Sequence, residues 1–298
     1  MATASPTTAP DALQPAGAPA TSLPDLTLIQ RLVLNLRAAR ARAYVRVVAT
    51  GRELSWLAFE VVLPILSAAA YVFIYEALGA PPRYTGFVLL GTAMTAYWMN
   101  VLWSMASQFY WEKQSGTLEI YFLAPASRVA LLLGMASGGI FMSTSRAAST
   151  LIAGSLLFGV RYEVASWPLA ILAFVLTLAA LYCLGMLFSS VFLMYGREAW
   201  HMASALQEPV YLLSGFYFPV RALGFWAAMG ASLIPLTLGL DAMRQLMFGA
   251  PDAAFLPVGW ELLGLAVLTV VYFLLALRSL AAMERLAKRE GRLTLKWQ

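Results

Sequence analysis

Three ionisable side chains stand inside long apolar runs of this sequence: Glu60, Arg146 and Glu208. A charge at membrane depth is costly, and is kept where it lines a path, pairs across helices or is satisfied by nearby polar groups. At about 1.5 Å per residue, Glu60 stands ~12 Å beyond Arg52 and Glu208 ~16 Å beyond Arg197, both near mid-membrane, while Arg146 is about 27 Å beyond Arg128. This is the chemistry of binding and passage. Catalysis is poorly served: the chain has one histidine, His201, and one cysteine, Cys183, and no H-E-x-x-H metal motif. None of its lysines, Lys113, Lys288 and Lys296, follows a glycine. No G-x-x-x-x-G-K-[ST] phosphate loop exists, so ATP-driven work requires ATP bound by another chain.

A second group of polar residues lies in a short insert between apolar runs, residues 111–128, WEKQSGTLEIYFLAPASR. Gly116 can N-cap a helix here, with Glu119 in the first turn where a carboxylate favours the dipole, and Pro125 stops it. At helical spacing Leu118, Tyr121 and Phe122 share one face, and Glu112, Ser115, Gly116 and Glu119 another. A surface helix over 116–123 with one apolar and one acidic face suits the docking of another protein. A plain connecting loop is the alternative.

The elements that must carry these residues follow from composition. Of 298 residues, 61% are hydrophobic and 12% charged, about half the charged fraction of a soluble domain. The chain is an all-α integral membrane protein with room for roughly six spans. Residues 1–24 are rich in Ala, Pro, Thr and Ser and lack a signal-peptide pattern; they read as a disordered cytoplasmic tail. Asp25 is a candidate N-cap for an amphipathic interfacial helix over 25–51. Leu26, Ile29, Val33 and Leu36 form its apolar side, and Arg31, Arg37, Arg40, Arg42 and Arg46 a basic side facing anionic lipid or obeying the positive-inside rule. Spans are expected over 54–78, 84–107, 129–158 (with a Gly134-x-x-x-Gly138 packing signal), 168–193, from 199 through Glu208-Pro209, and 255–277. Residues 278–298 form a basic cytoplasmic tail.

Within the stretch 216–240, the run 222–240 is nearly long enough to cross. With both ends inside, the inner side holds the N-terminal arginines, Lys113, Arg128, Arg197 and the basic tail, while the outer side holds Arg83, Arg161, Arg221 and Arg244. A seventh span would place the tail outside, against the positive-inside rule. The run therefore dips into the outer leaflet and returns, as a broken segment covered by protein or lining a cavity. Asp241 and Arg244, three apart, can pair on one helix face as a surface ion pair. Among the aromatics, Tyr217, Phe218, Phe225 and Trp226 are candidates for an outer gate, and Tyr110 and Trp111 for the inner entrance. Interfacial belts are the alternative.

The form E-K-x-x-G-T-L-E, then an apolar run, then A-P-x-S-R resembles the cytoplasmic coupling helix of the ABC-2 permeases, the membrane subunits of ATP-driven exporters of drugs, lipids and polysaccharides. Glu112, Lys113, Gly116, Thr117, Leu118, Glu119, Pro125 and Arg128 carry it. Two later stretches are similar to motifs of the same family's re-entrant segment: Ser214-Gly215-x-x-Phe218-Pro219, and Pro235-Leu236-Thr237 followed by Asp241 and Arg244. The resemblance covers residues 26–298. It implies a domain over 25–277 with six transmembrane helices, an interfacial helix, a coupling helix and an outer re-entrant segment, in the cytoplasmic membrane with both termini cytoplasmic. It also implies an ABC ATPase partner that binds ATP and Mg, a second permease copy (homodimer or heterodimer), contact with membrane lipid, no nucleic acid, and no cofactor or metal on this chain. Hydrophobic drug, lipid and lipid-linked saccharide all fit as cargo; Glu60, Arg146, Glu208, Tyr110 and Trp111 are the candidate path residues. A membrane-embedded lipid-modifying enzyme and a passive channel or structural subunit are the competing readings. The first lacks clustered acids, His or Cys, and the second leaves the surface helix without a role.

Overall fold

The computed structural model describes residues 27–51, 54–116, 127–195 and 197–289. Thr117, Leu118, Glu119 and Pro125 of the expected surface helix lie outside them, as do residues 1–26, with Asp25, and 290–298.

Helix α1, Leu28–Gly51, opens two residues later than Asp25 would have it. Thr27 Oγ1 accepts from the Gln30 amide (3.3 Å) while Gln30 Oε1 accepts from the Thr27 amide (2.9 Å), a reciprocal capping box. Its small residues Ala39 and Ala43 meet Gly134 and Gly138. A Cβ on Gly134 would stand 2.4 Å from the Ala39 carbonyl oxygen, and one on Gly138 3.0 Å from that of Ala43. The G-x-x-x-G spacing thus seats α1 with backbone against backbone. This splits the arginines: Arg31, Arg37 and Arg40 are exposed, whereas Arg42 and Arg46 turn inward.

Helix α2, Leu54–Ala77, buries Ala68 and Val72 and exposes Phe59, Leu63, Leu66, Phe73 and Ile74. A tight turn at Gly79 (φ 65°) leads to α3, Arg83–Met99, which is buried almost throughout its first half and continues as a π-helical segment, Asn100–Met105. The wider π turn is accommodated by glycines: a Cβ on Gly139 would reach 2.3 Å from Asn100 Oδ1, and one on Gly185 2.8 Å from Val101 Cγ1. Helix α4, Gln108–Ser115, ends at Gly116. Then come α5, Arg128–Phe158; α6, Trp167–Tyr195; and α7, Arg197–Leu213. After α7 the chain passes through a short turn, Val220–Leu223, and α8, Phe225–Ala231, into α9, Pro235–Phe248. The last element, α10, is a single helix, Val258–Arg289, so the expected sixth span and the start of the tail are one rod. Glu163 and Ala165 donate their amides to the carbonyls of Met247 and Leu246 (2.9 and 2.8 Å), attaching the α5–α6 turn to the end of α9.

Within the described residues, three helical stretches are each long and apolar enough to cross a membrane: 59–77, 167–192 and 258–283. Helices α8 and α9 qualify only as a pair, and the pair is bent by 112°. The other expected spans fall short for visible reasons. The α-helical part of α3 stops at the π segment, α7 has 17 residues, and α5 carries Ser143, Thr144, Ser145, Arg146, Ser149 and Thr150.

Three arginines tie the loops down. Arg83 grips the Asp252 carboxylate with both Nη atoms (3.0 and 2.5 Å), and Arg221 Nη1 donates to the Asp252 carbonyl (2.7 Å). The hydrogen bonds from Arg83 hold the Asp252 carboxyl below its ordinary range. Deeper in, Arg244 is almost fully buried.

Candidate functional site

A cleft of about 740 Å³ opens on the side of the bundle, between α2, α3, α5 and α7, with α1 at one end. Its walls are apolar where Phe59, Leu63, Pro64, Met99 and Met142 face in, and polar at Thr92, Thr95, Asn100 and Ser104. Among the described lining residues the ionisable acids and bases are Arg46, Glu60 and Arg146, with Tyr211 and Tyr217 adding phenol rings.

Each is placed by its helix. Arg146 Nη1 pairs with Glu60 Oε1 across α5 and α2, and its Nη2 donates to the Ala96 carbonyl of α3 (3.0 Å). One guanidinium therefore joins three helices, in the fork geometry that a lysine cannot reproduce. Arg46 reaches from α1 to the Ser104 hydroxyl on the π segment. On the same segment the Asn100 amide oxygen accepts from Tyr182 OH (3.1 Å), while Trp103 Nε1 donates to Gln207 of α7 (2.9 Å). π segments recur at functional sites because they turn side chains out of α register, and here Asn100, Trp103 and Ser104 all line the cleft. Tyr217 closes one end, stacked on Tyr71 with ring centroids 4.0 Å apart.

The candidate path residues divide. Glu60 and Arg146 meet as a pair, which spacing could not decide. Glu208 is on the exposed face of α7, outside the described lining but near Tyr211 and Tyr217. Tyr110 and Trp111 pack edge to face on α4 (5.6 Å) and are not among the described lining residues. The sequence reading missed Arg46, Ser104 and Asn100 as site residues. A signal existed for the first: Asn35, Ala39, Arg42 and Arg46 recur at helical spacing on one side of α1.

The stretch before the expected surface helix departs from the expected acidic face. Glu112 is buried, accepting from Arg42 and from Gln108 Nε2 (2.6 Å). An arginine on the facing helix draws the carboxylate inward. Gly116 has φ 76° and is the left-handed C-cap of α4, not an N-cap; an N-cap needs extended φ/ψ, whereas this conformation is the one glycine adopts without Cβ strain. Lys113 is half-buried near the end of α4, and Arg128 begins α5 behind an N-cap at Ser127, whose Oγ accepts from the Ala130 amide (3.1 Å). The Ser127 amide in turn donates to Asn35 Oδ1 of α1 (2.8 Å). So α1 holds both the end of α4, through Arg42, and the start of α5, through Asn35.

The expected outer-gate motifs meet around Arg244. Its Nη1 donates to the Phe218 carbonyl (3.0 Å) and its Nη2 to those of Phe216 (2.8 Å) and Phe87 (3.2 Å), with the guanidinium 5.1 Å over the Phe87 ring. Asp241 accepts from the Phe255 amide (2.7 Å). The two are buried anchors rather than a surface ion pair with each other, each enclosed and bonded to backbone groups of other elements. Gly215 (φ 63°) makes the turn after α7, Ser214 is buried, Pro219 precedes the short turn and Pro235 sits in the first turn of α9. A Cβ on Gly91 would overlap the Phe216 carbonyl oxygen at 1.6 Å. Tyr75 OH donates to the Tyr217 carbonyl (3.0 Å). Phe225 and Trp226 are exposed, packed edge to face on each other (5.3 Å), away from Tyr217 and the cleft. No group of three or more His, Cys, Asp or Glu side chains among the described residues could hold a metal ion.

Comparison with known proteins gives a consistent result. Residues 45–248 match the family described as ABC-2 type transporter. The inner membrane transport permease YadH of Escherichia coli strain K12 is 25% identical over 198 residues, covering 66% of this chain and 74% of that protein. The permease of the same name from Shigella flexneri matches to the same extent.

Proposed function

This chain belongs to the ABC-2 type transporter family, and on that premise we propose that it is the membrane subunit of an ATP-driven exporter, moving a hydrophobic or amphipathic substrate out of the cytoplasm. Drug, lipid and lipid-linked saccharide fit as cargo. As an inner-membrane transport permease it is a transporter component rather than an enzyme. ATP and Mg are bound by a separate ABC ATPase subunit, as the family implies in general. The observation that carries the reading is the lateral cleft, which places a cross-helix ion pair and a row of polar groups inside an apolar bundle.

In this reading the six spans are α2, α3 with its π segment, α5, α6, α7 and α10. The α8–α9 pair is the outer re-entrant segment, and both termini are cytoplasmic. Two permease copies enclose the pathway and two ATPases dock on the inner surface at 116–123. Nucleotide binding draws the ATPases together and moves the segment between α4 and α5. Because Arg42 and Asn35 attach α1 to both flanks of that segment, and Arg46 attaches it to Ser104, α1 carries the displacement to the cleft.

The test is gentle extraction into nanodiscs and identification of what copurifies. An ATP-binding subunit at one per copy of this chain, with ATP hydrolysis stimulated by lipid or drug, is the expected result. Glu119→Arg is expected to abolish transport while leaving membrane insertion intact; normal transport by that variant, or a chain that extracts alone when a control transporter stays whole, counts against the reading.

A further inference from the structure

We propose that Asp241 and Glu261 hold one proton between them, a proton site that latches α9 of the bent α8–α9 pair to α10. The site is separate from the cleft and does not rest on the permease reading.

Glu261 stands in the first turn of α10 and is wholly buried, and Asp241 of α9 is 3% exposed. Their side chains are in hydrogen-bond contact. Gln245 Nε2 donates to Glu261 Oε2 (2.9 Å) and to the Leu256 carbonyl (2.8 Å), and the Phe255 amide donates to Asp241 Oδ2 (2.7 Å). Glu261 Oε1 is buried and receives no donor. An ionised carboxylate only accepts hydrogen bonds. Two ionised side chains in this contact have nothing to donate to each other, and their like charges repel where water is excluded. One proton removes both faults, because a protonated carboxyl is a donor. The surrounding charges agree. Among the described groups, Asp241 and the Leu256 backbone act on Glu261, and no titratable group of α6, which packs along α10, does so. Arg244 is near Asp241, and Tyr75 of α2 near Arg244. The guanidinium thus balances Asp241 and leaves Glu261 to be neutralised by the proton. A calcium or magnesium ion asks for six or more oxygens, whereas Glu261 Oε2 and the Leu256 carbonyl already accept from Gln245. Loss of the proton to water sets two carboxylates against each other and drives α9 and α10 apart.

The test is infrared difference spectroscopy of the full chain in detergent at neutral pH, wild type against Glu261→Gln. A protonated-carboxyl C=O band is expected in the wild type, shifted in heavy water and lost in the variant. Thermal unfolding is the second measurement. In mildly acid buffer Glu261→Gln, whose amide still donates toward Asp241, is expected to unfold close to the wild-type Tm, and Glu261→Met, of similar size but without a donor, well below it. A proton held by the folded chain and released on unfolding contributes stability that fades as pH rises. Above the ordinary carboxyl range the wild type should therefore lose stability relative to Glu261→Gln, by up to about tenfold in the folding equilibrium per pH unit. A difference spectrum that shows only ionised carboxylate overturns the proposal, as does a wild type that gains on Glu261→Gln with rising pH. Equal destabilisation by Gln and Met, or a carboxyl band that emerges only after chelation, points to a cation in place of the proton and overturns it as well. Should Glu261→Gln fail to fold, wild type grown with isotope-labelled glutamate reports the same band without a substitution, and its absence there overturns the shared proton.

Discussion

Arg146 and Arg244 are both guanidinium groups held among apolar helices, and their surroundings differ in kind. Arg244 is enclosed, 2% exposed, and spends its donors on three backbone carbonyls from α3 and the α7–α8 connection. The carbonyls of Phe216 and Phe218 stand in the turn after α7, where no helix supplies a donor, and the arginine supplies one; that of Phe87 belongs to α3 and takes the arginine as a further donor. Arg146 sits on the wall of an open cleft, facing the Glu60 carboxylate and a volume large enough to admit a ligand. The first arrangement is closed to a ligand by burial and fixes a non-helical stretch at membrane depth, where backbone groups must be satisfied internally. The second holds charge where something can exchange with it. Charge at depth therefore does not by itself mark a functional site; the identity of the acceptor does.

Breaking the enclosed cluster has the largest expected effect. Arg244→Ala leaves the Phe216 and Phe218 carbonyls without their arginine donor and should cost about 3 kcal/mol or more, seen as a large fall in Tm in detergent. Arg244→Lys should rescue little of it, because an ammonium lacks the planar fork. Gly91→Leu attacks the same cluster from α3, driving a side chain into the Phe216 carbonyl. An unchanged Tm in either Arg244→Ala or Gly91→Leu would remove the distinction drawn here.

The cleft pair is expected to respond in the opposite proportion. Glu60→Gln removes the charge partner of Arg146 while the Ala96 carbonyl still accepts from it. The stability loss should be modest, roughly 1–2 kcal/mol. Substrate-stimulated ATP hydrolysis should change severalfold. The double variant Glu60→Gln, Arg146→Gln should recover stability without recovering transport. If stability and transport fall together in every variant, the pair is structural like Arg244. A smaller effect is expected at the α1 seat: Gly134→Ala pushes a methyl against the Ala39 backbone and should cost roughly 1–3 kcal/mol by overpacking, with transport loss ahead of unfolding.

These two regions were legible in the sequence to different depths. That Glu60 and Arg146 stand within apolar runs was visible in the sequence. The unequal heights that rise per residue gave them, about 12 and 27 Å beyond the preceding arginines, are corrected by their pairing, which spacing could not supply because they are 86 residues apart and the register of α2 on α5 is a tertiary property. The Gly134-x-x-x-Gly138 spacing was visible, but its partner was not; α1, read for its basic side, carries the matching Ala39 and Ala43. Five N-terminal arginines read as one basic side, although the face holding Asn35, Ala39, Arg42 and Arg46 was there to be counted. Asp241 and Arg244 were singled out by spacing and assigned to each other. Their true acceptor and donor are backbone groups, which leave no mark in a sequence. The π segment has no sequence signature either, and it alone turns Asn100, Trp103 and Ser104 together into the cleft.

The smallest effect is expected where the ion-pair geometry is best. Arg83 meets Asp252 through two parallel hydrogen bonds at the protein surface, and those bonds hold the Asp252 carboxyl below its ordinary value of 3.8. A carboxyl whose folded-state pKa is depressed contributes its stability in full above the ordinary value and loses it as pH falls through the depressed one. Arg83→Gln should therefore lower Tm slightly at neutral pH, with the difference from wild type closing below pH 3.8 and shrinking in high salt. Thermal unfolding across that range decides it: a gap that persisted at the acid end would mean that packing, not charge, is lost. The bidentate pair at the surface is screened by water, whereas Arg244, with neutral acceptors and looser distances, has no solvent to replace it. Enclosure outweighs geometry in setting what an arginine contributes in this fold, and the cleft arginines fall between the two because their enclosure is incomplete.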